Sequence, residues 1–193
     1  MEIPERAPLV YVSFSAEINV KTTESLIAVL SNLANLNVGA VNLLISTPGG
    51  SVMNGLNLYN VLKGMPFELT THNVGNVDSI GNMVFLAGRR RYATATATFM
   101  FHGVGFTLDK GGRLEEKDLR ERLDGILSDQ TRIGQVISQH TRLTEEEVAG
   151  LFRQAQTKDA HFAVEKGIVD EIREVQIPPG APVIPLVFQR QSV

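Results

Sequence analysis

The sequence predicts an α/β fold with a mostly parallel sheet, and three observations predict it. Apolar β-branched runs and amphipathic segments alternate as strand, helix, strand, helix, strand, helix, strand between residues 9 and 101. Such alternation implies right-handed crossovers between parallel strands. Junctions at 47–50, 75–80 and 102–105 each follow a strand, at the edge where ligands sit in open α/β sheets. A long charged amphipathic segment, 115–140, then stands apart from the alternation behind a glycine-rich stretch.

The elements follow in order. Residues 9–14, LVYVSF, are β-branched and aromatic and read as a strand. Lys21-Thr22-Thr23-Glu24 opens a helix with a threonine N-cap and an acid in the first turn. Its Leu26, Ile27, Leu30 and Leu33 keep helical spacing. Residues 41–46 form a second strand, ended by Thr47-Pro48-Gly49-Gly50, and 51–62 a second helix. Residues 67–74 are a third strand, 80–88 a short buried helix, and the alternating 92–101 a fourth strand. In the helix 115–140 the apolar stripe is Leu119, Leu123, Ile126-Leu127, Ile133 and Val136-Ile137. Thr144 and Glu147 have capping-box spacing before another helix. A short helix over 160–166 closes at Gly167, Ile168-Val169 begins a last strand, and the proline-rich tail is extended. The organisation expected is a single domain over 1–193: a head (9–102), a strand and helix (103–140), a return to the head (141–175) and the tail (176–193).

Composition narrows the function classes. Apolar residues are 43% and charged residues 20% of the chain, ordinary for a globular protein. The net charge is −3, and Arg89-Arg90-Arg91 is the one basic cluster, so nucleic acid is not an expected partner. The absence of cysteine removes disulfides, cysteine nucleophiles and thiolate metal sites. The N-terminus lacks the basic and apolar regions of a signal peptide, and no apolar run reaches a membrane span. The expectation is a cytoplasmic protein with no membrane partner, no metal and no cofactor.

The candidate chemistry lies at the three junctions. Pro48-Gly49-Gly50, between a strand and a helix, can present backbone N–H groups to an oxyanion or phosphate; it is also what a tight turn requires. It lacks the spacing of a Walker motif. Ser79, in GNVDSIGN, is a candidate nucleophile, although Asp78 or Ser79 could equally cap the following helix. A serine nucleophile needs a base, and four histidines are available. His140 reads as solvated near a helix end, His161 lies in a polar stretch, and His72 sits within a strand. His102 follows the strand TFMF at the same edge as Ser79 and is favoured by position.

Together STPGGSVMNGLNLYNVL, GNVDSIGNMVFLAG, FMFHGV, HTRLTEEEVAGLF and AVEKGIVDEI resemble the Clp protease proteolytic subunit (ClpP-like) family of serine peptidases, in the family's order, from Leu9 to Ile172. The resemblance implies the ClpP/crotonase fold, with repeated β-α-β units and a protruding handle helix. It implies Ser79 as nucleophile, His102 as general base, and the Gly50 and Ile80 N–H groups as oxyanion hole. Residues 103–112 would pair with an extended peptide by β-augmentation. The implied activity is endopeptidase cleavage of peptides or unfolded polypeptides inside a homo-oligomeric chamber of heptameric rings stacked in pairs as a 14-mer. The exposed apolar stripe of the long helix independently calls for a partner subunit.

Three departures accompany the resemblance. The family's aspartate position is Ala155, leaving Asp159, Gln154 and Gln156 as candidate substitutes for the third member. Only eight residues precede the first strand, where the family carries a longer segment that engages a hexameric ATPase, which leaves that partner uncertain. Asn76 and Asp78 stand where the family has small uncharged residues. The main alternative is a catalytically weak or inactive scaffold of the same fold. A crotonase-like acyl-coenzyme A enzyme is more remote, since Asp78 is the one carboxylate placed near Gly49 and Ile80. No lysine closely follows Ser79, which argues against a Ser-Lys dyad.

Overall fold

The computed structural model describes residues 8–106 and 113–188. β1 (Val10–Ser15), α1 (Val20–Asn35), β2 (Ala40–Thr47), α2 (Val52–Lys63) and β3 (Glu68–Asp78) make two successive β-α-β units. α3 (Gly81–Leu86) then leads to β4 (Arg90–Ala93) and β5 (Thr98–Met100). After α4 (Glu116–His140) come α5 (Glu145–Gln154), β6 (Thr157–Asp159), α6 (Ala160–Glu165), β7 (Glu171–Ile172) and β8 (Val183–Leu186). The strand order is β6-β5-β3-β2-β1-β8, with β4 joining β3 to β7. Every pair is parallel except β5 with β6.

The mostly parallel α/β architecture agrees with the sequence, while several element boundaries differ for local reasons. α1 starts at Val20 because Asn19, not a threonine, is its N-cap: Asn19 Oδ1 accepts from Thr22 N–H and Thr22 Oγ1 accepts from Asn19 N–H. The single strand expected over 92–101 is two strands, both parallel to β3 at successive registers. Between them the buried Asn73 side chain takes over the ladder's bonds, donating from Nδ2 to the Thr98 carbonyl and accepting from Gly75 N–H. The strand expected from Ile168 begins instead at Glu171, since Ile168 and Val169 hydrogen-bond back to the Ala163 carbonyl at the end of α6. β6 is an additional short strand, and part of the extended tail pairs with β1 as β8.

The core lies on both faces of the sheet. Leu26, Leu30 and Leu33 of α1 cover one part, and the wholly buried Met83, Val84, Phe85 and Leu86 of α3 pass through the centre. α4 contributes Ile133 and Ile137 from its C-terminal half, whereas Leu119, Leu123 and Leu127 in its N-terminal half remain about half exposed. Arg91 of the basic cluster is spent internally, donating to the His140 and Gly167 carbonyls and pairing with Asp170. Among the described residues no helix is long and apolar enough to cross a membrane.

The registers set the functional edge. Thr47 of β2 lies beside Val77 of β3, which lies beside Phe99 of β5. The carboxyl ends of the three strands are therefore level, and the junctions that follow them meet.

Candidate active site

Ser79 follows β3 without an intervening loop, because the strand extends to Asp78. Its N–H donates to the Met100 carbonyl at the end of β5. Its φ is 55°, the left-handed region that a non-glycine residue occupies at a cost of about 1–2 kcal/mol. This sharp turn sends the chain from strand into α3. The neighbouring turn leaves space for it: a Cβ on Gly49 would lie 2.7 Å from Ser79 Cβ and 2.8 Å from the Asp78 carbonyl oxygen. Gly49 thus has to be glycine, both for this contact and for its φ of 87°. Gly50, at φ 143°, packs on the Ile18 carbonyl, where any side chain would collide. Ser51 N–H donates to that carbonyl and Ile18 N–H to the Gly49 carbonyl, so the glycine turn is stitched on both sides to the segment after β1.

Neither capping alternative describes the serine junction. The N-cap of α3 is Ile80, with no side-chain cap, and Ser79 Oγ makes no hydrogen bond among the described residues. The Asp78 carboxylate instead accepts from Asn76 Nδ2 at 2.6 Å. Asn76 also donates to the Thr47 carbonyl and accepts from Ser46 Oγ. The two residues that depart from small and uncharged therefore form a polar clasp between β2 and β3.

Ser79, Ile80, Gly50 and His102 line one cavity of about 120 Å³. Val52, Phe101, Val104, Ile133, Ile137 and Phe152 give it an apolar wall. Among the described residues neither Gly50 N–H nor Ile80 N–H has an acceptor within the chain, so two backbone donors border the cavity unspent. His102 is exposed, and its Nδ1 lies 2.7 Å from the carbonyl oxygen of Gly103.

Two of the other histidines are occupied. His72, only 2% exposed, donates from Nε2 to the Arg173 carbonyl, and burial lowers its pKa. His140 is not solvated as the sequence suggested; its Nε2 is 2.7 Å from the Tyr59 hydroxyl. Burial, then the charges of Lys63 and Arg91, lower its pKa. His161 is exposed on α6 and is not among the residues that line the cavity.

The region of the expected third member holds no free acid beside His102. β6 pairs with β5 as Thr98↔Asp159, Phe99↔Lys158 and Met100↔Thr157. The pairing ends there: His102 lies two residues past β5, Ala155 is the left-handed C-cap of α5, and Gly103 N–H donates to the Phe152 carbonyl instead of continuing that register. Asp159 is opposite Thr98, four residues back along β5, about 13 Å at the rise of a strand, and its carboxylate caps α6 by accepting from Phe162 N–H at 2.8 Å. That distance and that cap argue against Asp159 as the substitute. Gln156 accepts from Lys158 Nζ, and Gln154 is an exposed residue at the end of α5.

One residue went unnoticed in the sequence. Asn82, completely buried on α3, donates from Nδ2 to both the Ser79 and the Met100 carbonyls, at 2.9 and 3.0 Å. It ties the serine turn to the end of β5, two residues before His102. An asparagine inside an apolar helix was the available signal. Residues 103–106 form no helix or strand, and 107–112, the rest of the expected peptide-pairing segment, lie outside the described residues.

Comparison with known proteins now adds relatives to this geometry. The family model described as Clp protease matches residues 9–176. The ATP-dependent Clp protease proteolytic subunit 1 of Leifsonia xyli subsp. xyli is 29% identical over 140 residues, covering 69% of this chain and 67% of that protein. Proteolytic subunit 2 of Thermobifida fusca is 30% identical over 138 residues, covering 68% and 64%. The chain thus spans about two thirds of the length of these relatives. The solved structure of a ClpP1 mutant from Listeria monocytogenes is 21% identical, covers 86% of this chain and 92% of its own, and superimposes with a TM-score of 0.77. That likeness shows the fold.

Proposed function

Since the chain belongs to the Clp protease family, we propose that it is a serine endopeptidase in which Ser79 is the nucleophile and His102 the general base. The observation that carries the reading is the left-handed Ser79 turn, packed against Gly49 and sharing one cavity with His102 and two unspent backbone donors. His102 takes the Ser79 hydroxyl proton as Oγ attacks the scissile carbonyl, and returns it to the leaving amine. The Gly50 and Ile80 N–H groups hold the tetrahedral oxyanion. Water then repeats the cycle on the acyl-enzyme. The apolar wall, with Phe101 and Phe152, favours an apolar substrate side chain next to the scissile bond.

The half-exposed Leu119, Leu123 and Leu127 of α4 support assembly into a homo-oligomeric chamber, read here as heptameric rings stacked in pairs, which admits peptides and unfolded chains. An ATPase partner enters only by analogy with relatives that carry "ATP-dependent" in their names.

A second reading, an inactive scaffold of the same fold, is favoured by one observation: Ala155 stands where the family's acid is expected, and the nearest acid in sequence, Asp159, is engaged as the cap of α6. Incubation with a fluorophosphonate probe separates the two. Labelling of the wild type that is lost in both Ser79→Ala and His102→Ala is the result expected of the peptidase. A folded, oligomeric wild type that does not label is a scaffold.

A further inference from the structure

We infer that the backbone carbonyl of Gly103 serves as the orienting partner of His102, in the place of a carboxylate; the inference rests on the Ser79–His102 reading above. His102 Nδ1 is 2.7 Å from that oxygen. A carbonyl oxygen can only accept, so Nδ1 must carry the proton. In the neutral ring Nε2 then holds the lone pair, which is the tautomer a general base needs.

The carbonyl is held from its other side. Gly103 N–H donates to the Phe152 carbonyl at 3.0 Å, anchoring residue 103 to α5. α5 leads directly into Ala155, the position where the family resemblance expects the acid. The segment that lacks an acid at 155 thus acts through its main chain: Phe152 fixes Gly103, and Gly103 fixes the imidazole. Glycine suits the position, because a Cβ at 103 would come within 3.1 Å of Gln130 Oε1 on α4.

The proton balance is complete without an acid. When Ser79 Oγ attacks, its proton moves to Nε2, giving an imidazolium with Nδ1–H still donating to Gly103. The proton leaves from Nε2 to the amine of the departing chain. Gly103 is a positioning residue: it sets which nitrogen is basic and where the ring lies, and it contributes a dipole where a carboxylate contributes a full charge.

Two measurements on the full-length oligomer test this. The first is the tautomer of His102 in protein labelled with [15N]histidine, its resonance assigned by its loss in His102→Ala. Protonated Nδ1 and bare Nε2 in the neutral ring is the expected result; a predominantly Nε2–H ring overturns the inference, whether or not Ser79 reacts. The second replaces Val104 by its α-hydroxy analogue, turning the Gly103 carbonyl into an ester carbonyl, a weaker acceptor. Val104 N–H has no acceptor among the described residues, so the replacement removes no other bond among them. Fluorophosphonate labelling of Ser79 should slow about tenfold, the size of one net hydrogen bond. Labelling at the wild-type rate overturns the inference. A wild type that never labels sinks the peptidase reading alone, and the tautomer still decides this one.

Discussion

Replacing Ala155 by aspartate restores the acid that the family resemblance expects at this position, and the structure limits how much that can add. In the serine-protease template, neutralising the acid costs about 10⁴ in kcat, a loss that combines wrong tautomer and unstabilised imidazolium. If Gly103 already holds the tautomer, only the charge remains to be gained. Two unit charges about 4 Å apart attract by about 1 kcal/mol in water and about 4 kcal/mol at an effective dielectric of about 20. His102 is exposed, so the lower part of that range applies, about 1–2 kcal/mol, or roughly fivefold to thirtyfold in rate. The backbone accommodates the change, since residue 155 has φ 49° and ψ 48° and aspartate enters the left-handed region more readily than alanine.

The assay is the second-order rate of fluorophosphonate labelling together with turnover of a fluorogenic peptide carrying an apolar residue before the scissile bond. Thermal unfolding is measured alongside, and Ala155→Asp should melt no lower than the wild type. A gain near 10⁴ would mean that the wild type lacks orientation as well as charge, against the role assigned to Gly103. No gain, in a variant that melts normally, would refute residue 155 as a position from which an acid reaches His102.

Four further outcomes are expected. Gly49→Ala, forcing a Cβ to 2.7 Å from Ser79 Cβ at φ 87°, should cost about 2–4 kcal/mol in unfolding by denaturant and abolish labelling; normal labelling would show that the serine turn tolerates the intrusion. Asn82→Ala, which strips the donor from the Ser79 and Met100 carbonyls, should destabilise by about 1–3 kcal/mol and slow labelling beyond what the residual folded fraction explains. Acidification should lower the melting temperature through His72 and His140, whose folded pKa values lie below 6.5 chiefly through burial. The unfolded imidazoles take protons first, so this stability is complete above about pH 6.5 and is lost as pH falls from there through the folded values; an unchanged pH slope in the His72→Gln, His140→Gln double variant would rule these rings out. Leu119→Ser, Leu123→Ser and Leu127→Ser combined should reduce the oligomer to a smaller species in sedimentation velocity, and an unaltered profile would place the subunit contacts elsewhere.

What was legible in the sequence follows the range of the forces involved. Hydrophobic period and turn residues are local, so the alternating elements and the three junctions at the strand ends could be read directly. The long helix and its apolar stripe could be read too, because amphipathicity is a property of one segment. The split of residues 92–101 could not, since the alternation of YATATATF is the same whether or not Asn73 interrupts the ladder. The parallel pairing of Val183–Leu186 with β1 is a contact between the two ends of the chain, and nothing local in a proline-rich tail specifies its partner. His140 looked solvated because its own helix is charged; what half-buries it is Tyr59, far away in sequence. Asp159 was an attractive substitute by residue type, and the antiparallel register of β5 and β6 is what moves it away.

The choice between peptidase and scaffold turns on where the structure is strained. A scaffold needs the core, the sheet and the apolar helix face; Asn37 and Ala155, the other non-glycine residues with positive φ among the described residues, lie just after the helices α1 and α5. A scaffold has no use for a serine in the left-handed region, at a cost of about 1–2 kcal/mol, when glycine would fit there without strain. Nor does it need backbone N–H groups at Gly50 and Ile80 left without acceptors at the rim of a small cavity. Strain of this kind persists where the surroundings over-determine it, and it gathers at functional sites. Here Ser79 N–H on Met100, Asn82 on both carbonyls, and Gly49 against the Ser79 side chain all enforce one conformation. Ser79→Gly separates the two accounts. If the turn is only structural, glycine relieves the strain and the protein is as stable or more so, with every other property intact. The peptidase reading predicts the same or greater stability together with complete loss of labelling and turnover, a trade that identifies the strained side chain as the one that reacts.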